Sequence, residues 1–257
     1  MSSKLDLSKE LAGRRALVTG GSRGIGATIA QRLLDAGARV VVTARSRNEE
    51  TPAGATFVAG DVRTVDGVQA IASAALEALG GLDILVNNAG GSRGFPGGVS
   101  TIPEEEWQDG FALNLFSAVR LTNAVLPALR GSRAAAVVNI SSTAATMGEG
   151  AAAFAHYTAA KAGLDAYSRA LAVELAPSGI RVNVVTPGPV STVGSDNLRR
   201  TFSDAMGAAE DVFASFVPLR RYGTTDDIAE VVALLVSDRG NWLTGVNYRV
   251  DGGMTAR

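Results

Sequence analysis

From Arg14 onward the chain repeats one theme: a short apolar, β-branched run, then glycines or polar residues, then a stretch with helical spacing. The runs stand at 16–19, 39–43, 56–58, 84–86, 136–140, 181–185 and 246–250. A strand apolar on both faces has to be covered on both faces, and strands that alternate with helices pair in parallel. The pattern predicts an α/β protein with a doubly wound parallel sheet, whose ligands lie beyond the carboxyl ends of the strands. Those ends carry the unusual residues. Gly20, Gly24 and Gly26 follow the first run, Arg45 the second, Asp61 the third and Asn87–Gly90 the fourth; Ser141 and Ser142 follow the fifth, Pro187 and Gly188 the sixth. Polar and glycine residues gathered on one rim describe a site.

Composition removes several alternatives. At 257 residues an α/β chain is routinely one domain, and the expectation is a single domain over 1–257 with an N-terminal extension at 1–12. Basic and acidic side chains number 24 and 25, which leaves no electrostatic footprint for nucleic acid or an anionic membrane. The chain has no cysteine and one histidine, His156, so thiolate chemistry and multi-histidine metal sites are out and no metal is expected. The first fifteen residues lack the apolar core of a signal peptide, and no run of about eighteen uncharged apolar residues is found. A cytoplasmic protein is the expectation.

The turn Thr19–Gly26, TGGSRGIG, opens a helix expected over 27–36. Its glycines let backbone approach a pyrophosphate, and the helix N-terminus presents free N–H groups and a partial positive charge. The spacing is G-x-x-x-G-x-G rather than the common G-x-G-x-x-G. About twenty residues on, where a carboxylate would receive the ribose hydroxyls, stands Arg45. With Arg23 inside the glycine turn, it favours a 2′-phosphate, hence NADP(H) over NAD(H). Asp61 is placed to accept from an adenine amino group or to cap a helix beginning near Val65. Asn114 lies in the apolar run FALNLF of a helix expected over 104–129; a buried Asn must be hydrogen-bonded, for structure, water or catalysis. Tyr157 and Lys161 are four apart on a helix expected over 151–176, so they share a face. There a lysine charge would lower the phenol from its usual value of about 10. His156, next to Tyr157, is read as packing or surface.

These motifs, in this order over nearly the whole length, resemble those of the short-chain dehydrogenase/reductases, of the 3-oxoacyl-reductase-like kind: TGGSRGIG, NNAG, Asn114, Ser142, YTAAK at 157–161, PGPVST at 187–192 and VDGG at 250–253. The resemblance implies a Rossmann-type sheet of seven strands, a nicotinamide cofactor and a homotetramer or homodimer. It also implies roles. Ser142 would hold the substrate oxygen, Tyr157 would protonate it, Lys161 would tune Tyr157 and bind the nicotinamide ribose, and Asn114 would hold a water in a proton relay. The cofactor would be lined by Gly20, Ser22, Arg23, Gly24, Ile25, Gly26, Arg45, Asp61, Val62, Asn88, Gly90, Tyr157, Lys161, Pro187, Gly188, Val190 and Thr192.

Two features depart from the pattern. Ser142 and Tyr157 are fifteen positions apart, a little more than usual, which leaves Ser141 and Thr143 as alternatives to Ser142. The link from Arg45 to Thr56 is barely long enough for a parallel crossover, so its helix is expected to be short or absent. The loop 90–98, glycine-rich, and the segment 190–216, read as a substrate lid, are expected to shape the pocket, with Arg93, Arg199 and Arg200 either solvated or facing an anionic substrate. The expectation is an NADP(H)-dependent oxidoreductase that interconverts a carbonyl and a secondary alcohol, reducing in the cell. An NAD-dependent alcohol dehydrogenase and a silent cofactor-binding protein are the alternatives; an epimerase is disfavoured because no substrate domain follows Gly253.

Overall fold

The computed structural model describes residues 6–146, 152–194 and 212–256. Seven strands form one sheet: β1 (Arg15–Thr19), β2 (Arg39–Ala44), β3 (Thr56–Ala59), β4 (Ile84–Asn87), β5 (Ala136–Ile140), β6 (Arg181–Pro187) and β7 (Asn247–Val250). Their order is β3-β2-β1-β4-β5-β6-β7, and every adjacent pair is parallel. The chain runs outward from β1 through β2 to β3, then returns to β4 on the other side of β1. That reversal opens a crevice at the carboxyl ends of β1 and β4.

The helices are α1 (Gly24–Asp35), α2 (Val65–Leu79), α3 (Glu104–Phe111), α4 (Ser117–Arg130), α5 (Ala155–Leu175), α6 (Val212–Ser215) and α7 (Thr225–Val236). Strand periodicity sorts the core into two layers. Ala16 and Val18 of β1 face the layer of α1 and α7, while Leu17 between them faces that of α2, α4 and α5. Thr64 caps α2, and Thr224 with Asp227 forms a capping box on α7.

The structure refines several expectations. Asp61 does not cap α2: Thr64 does, and Asp61 Oδ1 accepts from the Arg63 N–H at 2.9 Å. Helix α1 begins at Gly24, inside the glycine turn. The described part of the N-terminal extension is tied down: Leu11 is fully buried, and Glu10 pairs with Arg32 at 2.6 Å and Arg239 at 2.8 Å. The link from β2 to β3 contains no helix, as its length requires. The stretch 104–130 is helical throughout but widens into a π-turn at Ala112–Phe116, where the Ser117 N–H reaches back to the Ala112 carbonyl. By length and mean hydropathy the helical stretch Glu104–Arg130 reaches what a membrane span needs, although Arg120 interrupts its apolar run, as the sequence expectation of no uncharged run allows. Its apolarity serves the core here, since Leu121, Val125 and Leu129 are fully buried in the layer of α2 and α5.

Two polar networks fix the frame. At the amino-terminal edge of the sheet, Arg15 donates to Asp83 from its backbone N–H, Nε and Nη2 at 2.8–2.9 Å, and Ser132 Oγ donates to the same carboxylate at 2.6 Å. In the interior, Asn87 Nδ2 donates to Asn139 Oδ1 at 2.8 Å, and Asn139 Nδ2 donates to Ser168 Oγ at 2.8 Å. The first asparagine of NNAG therefore ties β4 and β5 to α5. This sets the register of the helix that carries Tyr157 and Lys161.

Candidate active site

The glycine turn is closed by packing that tolerates no side chain. Gly20 has φ +65°, and a methyl at Gly26 would stand 2.2 Å from the Gly20 carbonyl oxygen and 2.4 Å from Asn88 Nδ2. Asn88 Nδ2 donates to the Thr19 carbonyl at 2.9 Å, while Thr19 Oγ1 accepts from the Asn88 and Ala89 N–H groups at 3.0 and 2.9 Å. The Asn88 amide thus locks the turn to β4 besides bordering the cleft. Arg23 at the start of α1 offers no side-chain cap, and the N-terminus of the helix borders the crevice, with its Gly24 N–H given to Glu50.

An open cleft of about 990 Å³ runs along the strand ends, and the structure brings every residue expected at the cofactor, with Ser142, onto its walls. A helix N-terminus, a glycine cradle and two cations at the rim form a donor set that fits a dinucleotide carrying phosphate. Arg23 and Arg45 are exposed, and among the described residues no acid pairs with either. Val190 is buried and bridges to Gly223, and Thr192 lies against Gly24. Gly188 sits so close to Asp251 that a methyl there would stand 2.7 Å from its Cα.

One wall residue escapes the sequence reading and corrects it. Glu50 reaches across the glycine turn and accepts from the Gly24 N–H at 2.8 Å, so a carboxylate does stand at this end of the cleft. Asn48 Oδ1 accepts from the Glu50 N–H at 2.8 Å, and the buried Thr51 donates to the Ser22 carbonyl at 3.3 Å. The helix-free β2–β3 link is folded over the turn by these contacts. No spacing rule points to Glu50; the Asn-x-Glu turn is its only local signal.

At the inner end of the cleft α5 presents Tyr157 and Lys161. Ser142, rather than Ser141 or Thr143, is the hydroxyl that hydrogen-bonds the Tyr157 phenol. The buried Lys161 ammonium donates to the Ile140 carbonyl at 2.7 Å and lies 5.9 Å from the centre of the Tyr157 ring. Burial brings its pKa down to about 8, opposed by the charge of Asp165. The expected depression of Tyr157 is not found: burial pushes the phenol up, and the hydrogen bond from Ser142 only partly offsets that. The ammonium is directed at the Ile140 carbonyl, not at the phenol oxygen.

Asn114 is buried in the π-turn, with Nδ2 donating to the Gly110 and Gly91 carbonyls at 2.9 Å each and Oδ1 accepting from the Gly91 N–H at 3.1 Å. It holds the β4–α3 loop to the helix, and both its donors are committed. A Cβ placed on Gly90 would lie 3.0 Å from Asn114 Oδ1 and 3.3 Å from Lys161 Nζ, so the two atoms flank one point at the floor of the cleft.

His156 is packing: it is buried against Gly110, edge-on to Phe95 and Trp107 at 5.7 and 6.2 Å. Arg93 pairs with Glu106 at 3.2 Å and lies over the Phe95 ring, which makes it a surface contact of its own loop. Arg199, Arg200 and most of the expected lid at 190–216 lie outside the described residues.

Comparison with known proteins gives the family. Residues 20–255 match the family model described as Enoyl-(Acyl carrier protein) reductase. The chain is 38% identical over 248 residues to 3-oxoacyl-[acyl-carrier-protein] reductase FabG of Escherichia coli K12, covering 94% of this chain and 97% of that protein. It is 35% identical to the monensin polyketide synthase putative ketoacyl reductase of Streptomyces virginiae, with 94% and 97% covered. Among solved structures it is similar to a short chain dehydrogenase from Burkholderia cenocepacia J2315 in complex with NADP, at TM-score 0.84 and 33% identity, covering 95% and 99% of the two chains. The sheet order, the glycine turn and the convergence of Ser142, Tyr157 and Lys161 thus have one common explanation: this chain is an oxidoreductase that uses a nicotinamide cofactor and belongs to the short-chain dehydrogenase/reductase family.

Proposed function

We propose that this protein reduces a ketone to a secondary alcohol with NADPH in preference to NADH. One observation carries the reading: a serine, a tyrosine and a lysine meet at the inner end of a cleft whose outer rim holds two cations that pair with no acid among the described residues. The ketoacyl reductases among its relatives and the NADP held by the Burkholderia structure support it.

Bound nicotinamide would supply the hydride. The protein's part is orientation and proton delivery. Ser142 Oγ donates to the carbonyl oxygen and directs it at the Tyr157 hydroxyl. Burial keeps that phenol protonated at neutral pH, which suits it to give its proton to the developing alkoxide. Lys161, cationic beside the ring, holds the nicotinamide ribose and favours the phenolate left behind. Asn114 Oδ1 and Lys161 Nζ, flanking one point, hold between them the water that returns the proton. Arg23 and Arg45 receive the 2′-phosphate. Asp61 and Val62 face the adenine, and Pro187, Gly188, Val190 and Thr192 position the nicotinamide. Glu50 favours the second reading, an NAD-dependent alcohol dehydrogenase, because a carboxylate at this rim disfavours a phosphate unless it swings out.

The protein acts as a cytoplasmic homotetramer or homodimer, with residues 1–257 as one domain. The exposed stripe Ala162, Ala166, Ala170 and Val173 of α5 supports self-association. Light scattering gives the stoichiometry.

The test is NADPH consumption over 3-oxoacyl thioesters, diketones and quinones, repeated with NADH. Turnover with at least one carbonyl class and a lower KM for NADPH is expected. Turnover with NADH alone would transfer the assignment to the second reading.

A further inference from the structure

We infer that Asp165 is a positioning residue for Lys161: a buried carboxylate on the same helix face, fixed by Asn247 and Thr186, whose charge keeps the buried ammonium protonated where the Ile140 carbonyl holds it. The inference rests on the reading of Lys161 given above and extends it to residues on the last two strands.

Lys161 is 3% exposed, and its Nζ donates to a neutral carbonyl, which compensates a buried cation only in part. One helical turn further along α5, on the same face, stands Asp165, 7% exposed. Its carboxylate is held from the sheet: Oδ2 accepts from Asn247 Nδ2 at 3.0 Å, and Asn247 Oδ1 accepts from Thr186 Oγ1 at 2.6 Å. The threonine fixes the amide so that its NH₂ faces the acid. Three elements, α5, β6 and β7, therefore converge on one carboxylate that has no part in proton transfer.

Other groups face the pair. Arg169 of α5 and Arg249 of β7 act on Asp165 as positive charges, and Ser141, which follows β5, turns its hydroxyl to it. Ser141 Oγ and Asp165 Oδ1 are both buried without a bond of good geometry. On its other side Lys161 has the Tyr157 ring. Burial raises the Asp165 carboxyl, and Ser141, Arg169, Lys161 and Arg249 oppose the rise. Among the described residues Asp165 is the acid whose charge supports Lys161.

Asp165→Asn keeps the shape and the Asn247 contact and removes the charge. The chain has three lysines, Lys4, Lys9 and Lys161, so ¹³Cε-labelled lysine gives three NMR titrations and needs no turnover. In the wild type the Lys161 signal should titrate near pH 8. In Asp165→Asn the midpoint should fall by about one pH unit, and the alkaline limb of kcat for carbonyl reduction should move the same way. Asn247→Ala, which leaves the carboxyl but strips its fixing donor, should shift the midpoint in the same direction by less.

An unchanged Lys161 midpoint in folded Asp165→Asn overturns the inference, as does a loss of kcat that is uniform across pH. If Asp165→Asn does not fold, Asn247→Ala decides by the same titration. Should the wild type reduce no carbonyl while the titration shifts, the functional reading fails and the role of Asp165 stands.

Discussion

Asp83 lies at the end of the sheet away from the cleft, and replacing it should cost stability without touching chemistry. Burial pushes its carboxyl up, but bonds from the Arg15 side chain, the Ser132 hydroxyl and the Arg15 N–H, with the guanidinium charge, outweigh that and bring it from 3.8 to about 2. The pair is largely enclosed, with side-chain exposures of 26% and 11%. The difference between those pKa values corresponds to about 2 kcal/mol of folding free energy. Because the folded value is the lower one, this stability is complete above pH 4 and is lost as pH falls from about 4 toward 2. Asp83→Asn should therefore unfold in urea with about 2 kcal/mol less stability at pH 7, and the two stability curves should converge as pH falls. The length of β4, four residues or roughly 13 Å, separates Asp83 from the cleft, so kcat and KM of the folded variant should match the wild type. A variant within 0.5 kcal/mol at pH 7, or curves that stay parallel down to pH 3, would refute the argument.

If Arg45 receives the 2′-phosphate as proposed, exchanging it for Ala removes one charge-assisted contact worth about 1.5–3 kcal/mol, so KM for NADPH should rise roughly ten- to a hundredfold while KM for NADH hardly moves. Glu50→Gln should act oppositely, tightening NADPH several-fold in a fluorescence titration; an unchanged affinity would mean the carboxylate already swings clear. Gly26→Ala forces the turn open against the Gly20 carbonyl and should weaken NADPH binding by at least about tenfold, with a lower melting temperature. His156 is the one histidine, so its NMR titration is unambiguous. Burial lowers its pKa, against the charges of Glu106 and Asp109, so the midpoint should fall below 6.5 and stability should decline as pH drops beneath that value.

The sheet was legible because its information is local. Each strand announces itself by β-branched residues apolar on both faces, and all seven runs lie on the observed strands to within two residues at either end. The rim was legible for the same reason: residues placed at strand ends must share one edge of a parallel sheet. What escaped depends on contacts distant in sequence. Glu50 meets Gly24 only because a helix-free link folds back. Asp165 meets Asn247 across 82 positions, and Leu11 is core because β1 and α1 close over it. Spacing places a lysine near Tyr157 but shows neither how deeply the phenol is buried nor where the ammonium points.

The most direct measurement is kcat for NADPH-driven carbonyl reduction by Tyr157→Phe, with NADPH affinity determined on the same preparation. Loss of the proton donor should lower kcat by two orders of magnitude or more, and NADPH affinity should change little. A phenylalanine variant that binds NADPH normally and turns over within about tenfold of the wild type would contradict the assignment of Tyr157, and with it the mechanism proposed here.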